Sequence, residues 1–410
     1  MAAKEVDGMK RGIQGTLSRQ TTSPEPFNAF VPAQLPPTPP LEFSAELLNR
    51  KEKADLALGR LDGIARLLPD LHLFLYFYVR KEAVLSSQIE GTQSSLSDLL
   101  LFENDEVPGV PVDDVQEVSN YVAALEYGKT QIKNGFPISI RLIKDIHRVL
   151  LSKGRGASSE PGEFRRSQNW IGGTRPGNAV FVPPPAPEVM SLLGDLEKFF
   201  HEGARDFSTI IRASLIHVQF ETIHPFLDGN GRLGRLLIIL LLVADGVLSV
   251  PLLYLSLFFK QHRARYYELL QQVRFEGVWE DWLDFFFEAV EVTAGQAVDT
   301  AQKILQLFAD DRAKVSGIGR QKGSAAQVHE LLQRKAFVTI PSAARELHLS
   351  QPTITSALQA LQKLGIAAES TGRTWKRIYV YASYLRLLNE GMDSLPESGS
   401  QPAPTNIVPS

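Results

Sequence analysis

The chain has 410 residues, a formal net charge of −3, 44% hydrophobic and 22% charged residues, and no cysteine. This is enough chain for one large core and a smaller second one, in the composition range of ordinary globular proteins. Without cysteine there is no disulfide, thiolate metal site or cysteine nucleophile, which fits a reducing compartment, and the small net charge gives no reason to expect a whole-surface nucleic-acid or membrane binder.

In chain order, residues 1–23 are polar and lack the long apolar region of a secretory signal. The longest apolar run, Leu236 to Ala244, is too short to span a bilayer. A soluble, cytoplasmic protein with no membrane partner is therefore expected. Residues 1–40 are rich in Pro, Ser, Thr and Gly and end in Leu35-Pro36-Pro37-Thr38-Pro39-Pro40. Proline blocks helix and sheet pairing, so they read as an extended or disordered arm laid over the domain. From residue 41 the apolar spacing is helical, over 47–68, 72–102, 114–133, 139–151, 187–203, 208–222, 232–244, 262–276 and 279–312. Only Gln168 to Val182 looks like paired strands in this part. A flexible linker is expected from Val315 to Ser324. Beyond it, short helices over 325–334, 341–347 and 352–364 precede a hairpin around Ser370-Thr371-Gly372-Arg373, which is a winged-helix order. From Asp393 the chain is Ser/Pro-rich and reads as a disordered tail.

One stretch carries most of the chemistry: His224-Pro225-Phe226-Leu227-Asp228-Gly229-Asn230-Gly231-Arg232-Leu233-Gly234-Arg235. A glycine-rich turn entering a helix offers backbone N–H groups and the helix dipole to an anion. Arginine forks onto phosphate oxygens, and aspartate suits a hard divalent cation beside them. Histidine is the side chain best placed to move a proton near pH 7.

The stretch matches His-x-Phe-x-Asp/Glu-Gly-Asn-Gly-Arg-x-x-Arg and resembles the signature of the Fic family. The resemblance implies a mainly α fold: a Fic helical core with a β-hairpin flap, plus the small C-terminal winged-helix domain. It divides the chain into the arm (1–40), an N-terminal helical region with an inhibitory motif (41–135), the catalytic core (136–315), the winged helix (325–390) and the tail (393–410). It implies protein AMPylation, with ATP as co-substrate, Mg²⁺ as cofactor and a target protein with a Ser, Thr or Tyr hydroxyl as partner. His224 is then the general base, Phe226 the anchor of the loop, and Asp228 the Mg²⁺ ligand. Gly229, Asn230 and Gly231 line the anion hole, while Arg232 and Arg235 contact the β and γ phosphates. Gln168 to Gly172 and Asn178 to Val182 resemble the flap, whose edge would pair with a target segment. Tyr267 is expected near adenine, where some relatives place an asparagine seven residues later; here that position is Arg274. Gln219, five residues before His224, is a weaker nucleotide ligand candidate. The other seven histidines read as surface or core residues.

Ser86-Ser87-Gln88-Ile89-Glu90-Gly91 resembles the Ser/Thr-x-x-x-Glu-Gly/Asn inhibitory motif of Fic proteins. Four apart on a helix, Ser86 and Glu90 share a face, and Glu90 is expected to pair with Arg235 in place of the γ-phosphate. The same glutamate could orient a water for AMP removal, so de-AMPylation and another nucleotide donor stay open, as does a nucleotide-sensing transcription regulator. The helix expected to serve as recognition helix, Gln351 to Lys363, is polar but barely basic, and the wing adds Arg373, Lys376 and Arg377. DNA contact and protein docking or homodimerisation are equally compatible with it.

Overall fold

The computed structural model describes residues 11–21, 25–67, 71–103, 112–154, 156–202, 206–319, 322–335, 337–370 and 377–390. The expected tail and the wing residues Arg373 and Lys376 lie outside them. The chain opens with an antiparallel pair, β1 (Gly15–Gln20) and β2 (Phe27–Pro32), with Gly15 opposite Pro32 and Gln20 opposite Phe27. The expected extended arm is thus a hairpin over these residues. Pro26 and Pro32 fall beside or at the end of β2, so neither interrupts the ladder.

Helices follow: α1 (Ala45–Leu67), α2 (Leu71–Ile89) and α3 (Leu96–Glu103). The single helix expected over 72–102 is broken after Ile89, where Gly91 takes φ 99°, a conformation open mainly to glycine. Next come α4 (Val112–Lys133) and α5 (Ile140–Leu150), the latter capped by Ser139, whose side chain accepts the Leu142 N–H. Gln168 to Val182 forms no regular strand pair. It holds a single bridge between Ile171 and Phe181 and a 3-10 turn at Pro176–Asn178. Three glycines inside it and three prolines after it leave little that can sustain a ladder.

Then come α6 (Val189–Glu202), α7 (Thr209–Ile223), α8 (Asn230–Ala244), α9 (Ser256–Gln261), α10 (Arg263–Glu276) and α11 (Trp279–Ser316). The α7–α8 pair forms the centre. Every residue of α7 from Ile210 to Ile223 is buried, and a helix covered on all sides must have neighbours on all sides. Those neighbours include α6, α11 and α8, while α4, α5 and α2 pack on α8. α1 lies along α11, whose 38 residues run about 57 Å. Among the described residues no helix is long and apolar enough to cross a membrane.

α11 continues to Ser316, so the expected linker narrows to the few residues before α12 (Lys322–Lys335). After α12 come β3 (Phe337–Thr339), α13 (Ile340–Leu347), α14 (Gln351–Lys363), β4 (Ala368–Glu369), β5 (Ile378–Val380) and α15 (Ala382–Asn389). The three strands form an antiparallel sheet in the order β3-β5-β4. This unit leans on the helical core: Tyr384 packs edge-on against Phe77 of α2 and Phe308 of α11. Lys81 of α2 donates to the Glu390 carbonyl.

Candidate active site

The turn between α7 and α8 begins at His224, which caps α7 in a left-handed conformation (φ 48°), and ends at Gly229 (φ 78°), which caps α8. Between them Phe226 is fully buried and stacks on the His147 ring, centroids 3.7 Å apart. The Asn230 side chain closes the turn from both sides: Oδ1 accepts the Phe226 N–H at 2.9 Å and Nδ2 donates to the Phe226 carbonyl at 2.8 Å. Asn169 donates to that carbonyl too, and Arg165 donates to the His224 carbonyl. The Gly162 N–H donates to His147 Nδ1, which leaves the ring proton on Nε2 to donate to the Asp228 carbonyl. His147 is therefore more than a bland core histidine, because it props the loop from beneath.

The turn faces a cavity of about 280 Å³. His224, Asp228, Gly229, Asn230, Gly231, Arg232, Arg235, Tyr267 and Glu90 all border it. Burial, with the charges of Arg165 and Arg274 adding to it, lowers His224 to about 3, so the imidazole is neutral at pH 7. Among the described residues nothing hydrogen-bonds its Nδ1 in good geometry. The nearby Glu221 carbonyl still favours a proton on the ring.

The two arginines differ in their partners. Arg232 is buried against the buried Glu117 of α4 at 2.7 Å and reaches Asp228 at 3.2 Å. Arg235 is held from α2: Nε donates to Ser86 Oγ, and an Nη atom donates both to the Ser86 carbonyl and, at 2.7 Å, to Glu90 Oε1. Burial works against the charge on Arg235, but Glu90 outweighs it and raises the guanidinium. For Glu90, burial pushes the carboxyl up, while Arg235, Arg232 and His224 together hold it below the ordinary range. The Glu90 carboxylate lies over the first turn of α8: a Cβ on Gly231 would come within 2.3 Å of Oε1. It thus occupies the place where the amides of a helix N-terminus meet an anion.

A Fic/DOC family N-terminal model matches residues 48–130, and a Fic/DOC family model matches residues 137–242. The chain carries a Fic domain. Its curated relatives include protein adenylyltransferase Fic of Aedes aegypti, 34% identical over 210 residues, which are 50% of this chain and 39% of that one. The protein of the same name from Culex quinquefasciatus is 29% identical over 300 residues, 70% of this chain and 55% of that one. The chain thus spans about half the length of the curated relatives it matches. A solved Fic family protein from Desulfovibrio desulfuricans G20 shares the fold, with a TM-score of 0.55 at 20% identity over 84% of this chain and 98% of that one.

Over the Fic domain's cavity, segment 168–182 is held by side chains rather than by a ladder. Phe181 lies under the Arg274 guanidinium at 3.9 Å and beside Phe30 of the arm, and Gln271 donates to the Val180 carbonyl. Arg274, at the position where some relatives were expected to place an asparagine, ties this roof to α7 through Thr222 Oγ1 and the Glu221 carbonyl. Gln219 is a correction: it borders no part of the cavity and instead donates to the Ala33 carbonyl, fastening the arm to α7. Five residues before the turn, it projects from the opposite side of the helix. Sequence reasoning also passed over Glu117 and Glu221. An acid inside an all-buried helix such as α7 is the available signal for Glu221, while Glu117 has no comparable mark.

Proposed function

We propose that the protein transfers AMP from ATP to a hydroxyl of a Ser, Thr or Tyr side chain on a target protein, and that Glu90 holds it in check. The observation that carries this reading is Glu90 paired with Arg235 above Gly231, an anion already seated where the phosphates of a nucleotide belong. The relatives named adenylyltransferases support the choice of ATP.

In the transfer, the target hydroxyl oxygen bonds to the α-phosphorus while the bond from that phosphorus to the α–β bridging oxygen breaks. Pyrophosphate leaves, and the hydroxyl proton passes to His224, whose neutral ring can accept it. The Gly229–Gly231 amides and Arg235 meet the phosphate charge, and Arg232, bound to two carboxylates, chiefly fixes Asp228 and the first turn of α8. Tyr267, on the cavity wall, supports a place for adenine. Asp228 fits a Mg²⁺ site: it borders the cavity, and its side chain keeps 22% of its surface exposed although Oδ1 accepts from the Gly229 N–H and Arg232. A magnesium ion that bridges phosphates characteristically takes only one or two carboxylates. Bound there, it would neutralise charge on the phosphates.

For the C-terminal unit, the order of helices and strands supports the winged-helix reading. α14 carries Lys363 as its one basic residue, which favours protein docking over duplex DNA, where phosphate contacts need cations.

The test is incorporation of label from α-labelled ATP with Mg²⁺, into the protein itself or a target. Glu90→Gly should raise labelling by roughly tenfold or more, as the competent fraction grows. His224→Ala in that background should lower it by about 10²- to 10⁴-fold. Equal labelling in wild type and Glu90→Gly rejects the brake; labelling that survives His224→Ala rejects the base.

A further inference from the structure

One buried acid in the cavity wall has no part in the chemistry above. Glu221 stands on the last turn of α7 with 7% of its surface exposed. Among the described residues no donor reaches its Oε1. A glycine makes room for it: a Cβ on Gly234 would lie 2.4 Å from that oxygen. Gly231 does the same for Glu90, and a Cβ there would also lie 3.2 Å from an Nη atom of Arg235. Residues three apart on a helix are neighbours, with Cβ atoms about 5–6 Å apart. One face of α8 therefore offers two adjacent carboxylate berths beside Arg235. The carboxylate in the first is ion-paired with Arg235; that in the second has no ion pair among the described residues, and its Oε1 no hydrogen bond.

Several charged or titratable groups face Glu221. They are Glu90 beyond α2, Arg235 on α8, and Arg274, Tyr266 and Tyr267 on α10, together with His217 and His224 at α7 itself. Burial pushes the acid up to about 7, Glu90 adds to this, and Arg235 and Arg274 oppose it. Both its neutral and ionised forms are accessible near neutral pH.

We propose that Glu221 is a positioning residue for Arg235: it supplies the counter-charge that holds the guanidinium once Glu90 withdraws, and yields it to the terminal phosphate of the nucleotide. A buried guanidinium stripped of its partner is strongly disfavoured, so opening the brake requires a substitute anion, and Glu221 is the acid standing in the neighbouring berth. The exchange moves one proton. Glu221 ionises when Glu90 leaves, and takes up a proton from solvent when the phosphate charge arrives. This inference rests on the proposed nucleotide site.

The test is the affinity of the full chain for the magnesium complex of α,β-methylene-ATP, which cannot transfer AMP, between pH 6 and 8. It compares Glu90→Gly with Glu90→Gly/Glu221→Gln. Proton uptake on binding means that affinity for Glu90→Gly weakens as pH rises, by at most about tenfold per pH unit. A loss of about three- to tenfold over the range, flattened in the double variant, is expected. Parallel profiles in the two variants overturn the proposal. If Glu90→Gly binds the ligand at no pH, the nucleotide reading falls, and this inference with it. Should Glu221→Gln fail to fold, calorimetry of Glu90→Gly at pH 7 in two buffers of different ionisation heat decides the matter. Proton uptake supports the proposal; release or no exchange overturns it.

Discussion

The floor and the roof of the cavity are held in different ways. At the floor, the 224–230 turn is bonded to itself through Asn230 and pinned from beneath by His147, and its central side chain, Phe226, is wholly buried. At the roof, Val180 is 67% exposed, and the segment is held by one bridge, a cation–π contact, the arm, and scattered side-chain hydrogen bonds such as Gln271 to the Val180 carbonyl and Asn169 to the Phe226 carbonyl. Dense burial with satisfied hydrogen bonds gives a single arrangement, whereas sparse contacts give a segment that can open locally at small cost. The floor is thus suited to keeping His224 and Asp228 in place, and the roof to admitting the nucleotide and target of the proposed transfer.

Removing the floor's anchor should have the largest effect. Phe226→Ala is expected to cost about 3–5 kcal/mol of unfolding free energy, measured from the denaturant midpoint. Its effect on labelling should match the loss of His224, because the turn carries the base. A destabilised variant that still transfers AMP would show that the floor tolerates more than its packing suggests.

The next effect depends on pH. His147 is buried, and burial lowers it to about 4; the Gly162 N–H aimed at Nδ1 leaves no place for a second proton. Its folded value lies below the ordinary 6.5 of the unfolded chain. Its stabilising contribution is therefore complete above about pH 6.5 and is lost as pH falls towards 4. The difference corresponds to about 3 kcal/mol. Glutamine can donate and accept in the same places without titrating, so His147→Gln should be less stable than wild type at pH 7, and the gap should close on acidification. A gap that stays constant from pH 7 to 4.5 would mean that the prop does not titrate.

The floor was the more legible region. The motif from His224 to Arg235 marks the turn, its glycines and both arginines, because those residue types are tied to their chemistry and lie close in sequence. Ser86 and Glu90 were legible for the same reason, four apart in sequence, although Glu90 stands one residue past the end of α2. What supports them was not. His147, Arg165 and Asn169 reach the turn from elsewhere in the chain: nothing around His147 singles it out, and Arg165 and Asn169, beside and within the flap-like stretch, carry no sign there that they bond the turn. The roof misled in the opposite sense. The stretch 168–182 looked like paired strands, yet its glycines and the prolines after it leave a single bridge, while the arm that looked merely extended supplies the hairpin whose Phe30 N–H donates to the Val182 carbonyl. Gln219 was placed with the nucleotide on sequence distance alone, without regard to which side of α7 it faces.

That misplacement defines the smallest and most discriminating effect. The Gln219 side chain is one of the ties between arm and core, along with Gln14 N–H to the Arg274 carbonyl and the Arg11–Glu280 ion pair. Gln219→Ala removes one hydrogen bond, worth about 1 kcal/mol net, and leaves the cavity lining intact. Because the arm contributes little to the central core, the global denaturation midpoint should barely move. Amide exchange over Gly15–Pro32 should instead quicken by roughly fivefold, as local opening draws on that 1 kcal/mol alone. If the arm opens independently, the roof loses Phe30 from beside Phe181 more often, and the apparent KM for a target protein should shift while kcat holds. Unchanged exchange in the arm would mean that roof and core open together, and the contrast between the two regions would then be one of packing density, without separate motion.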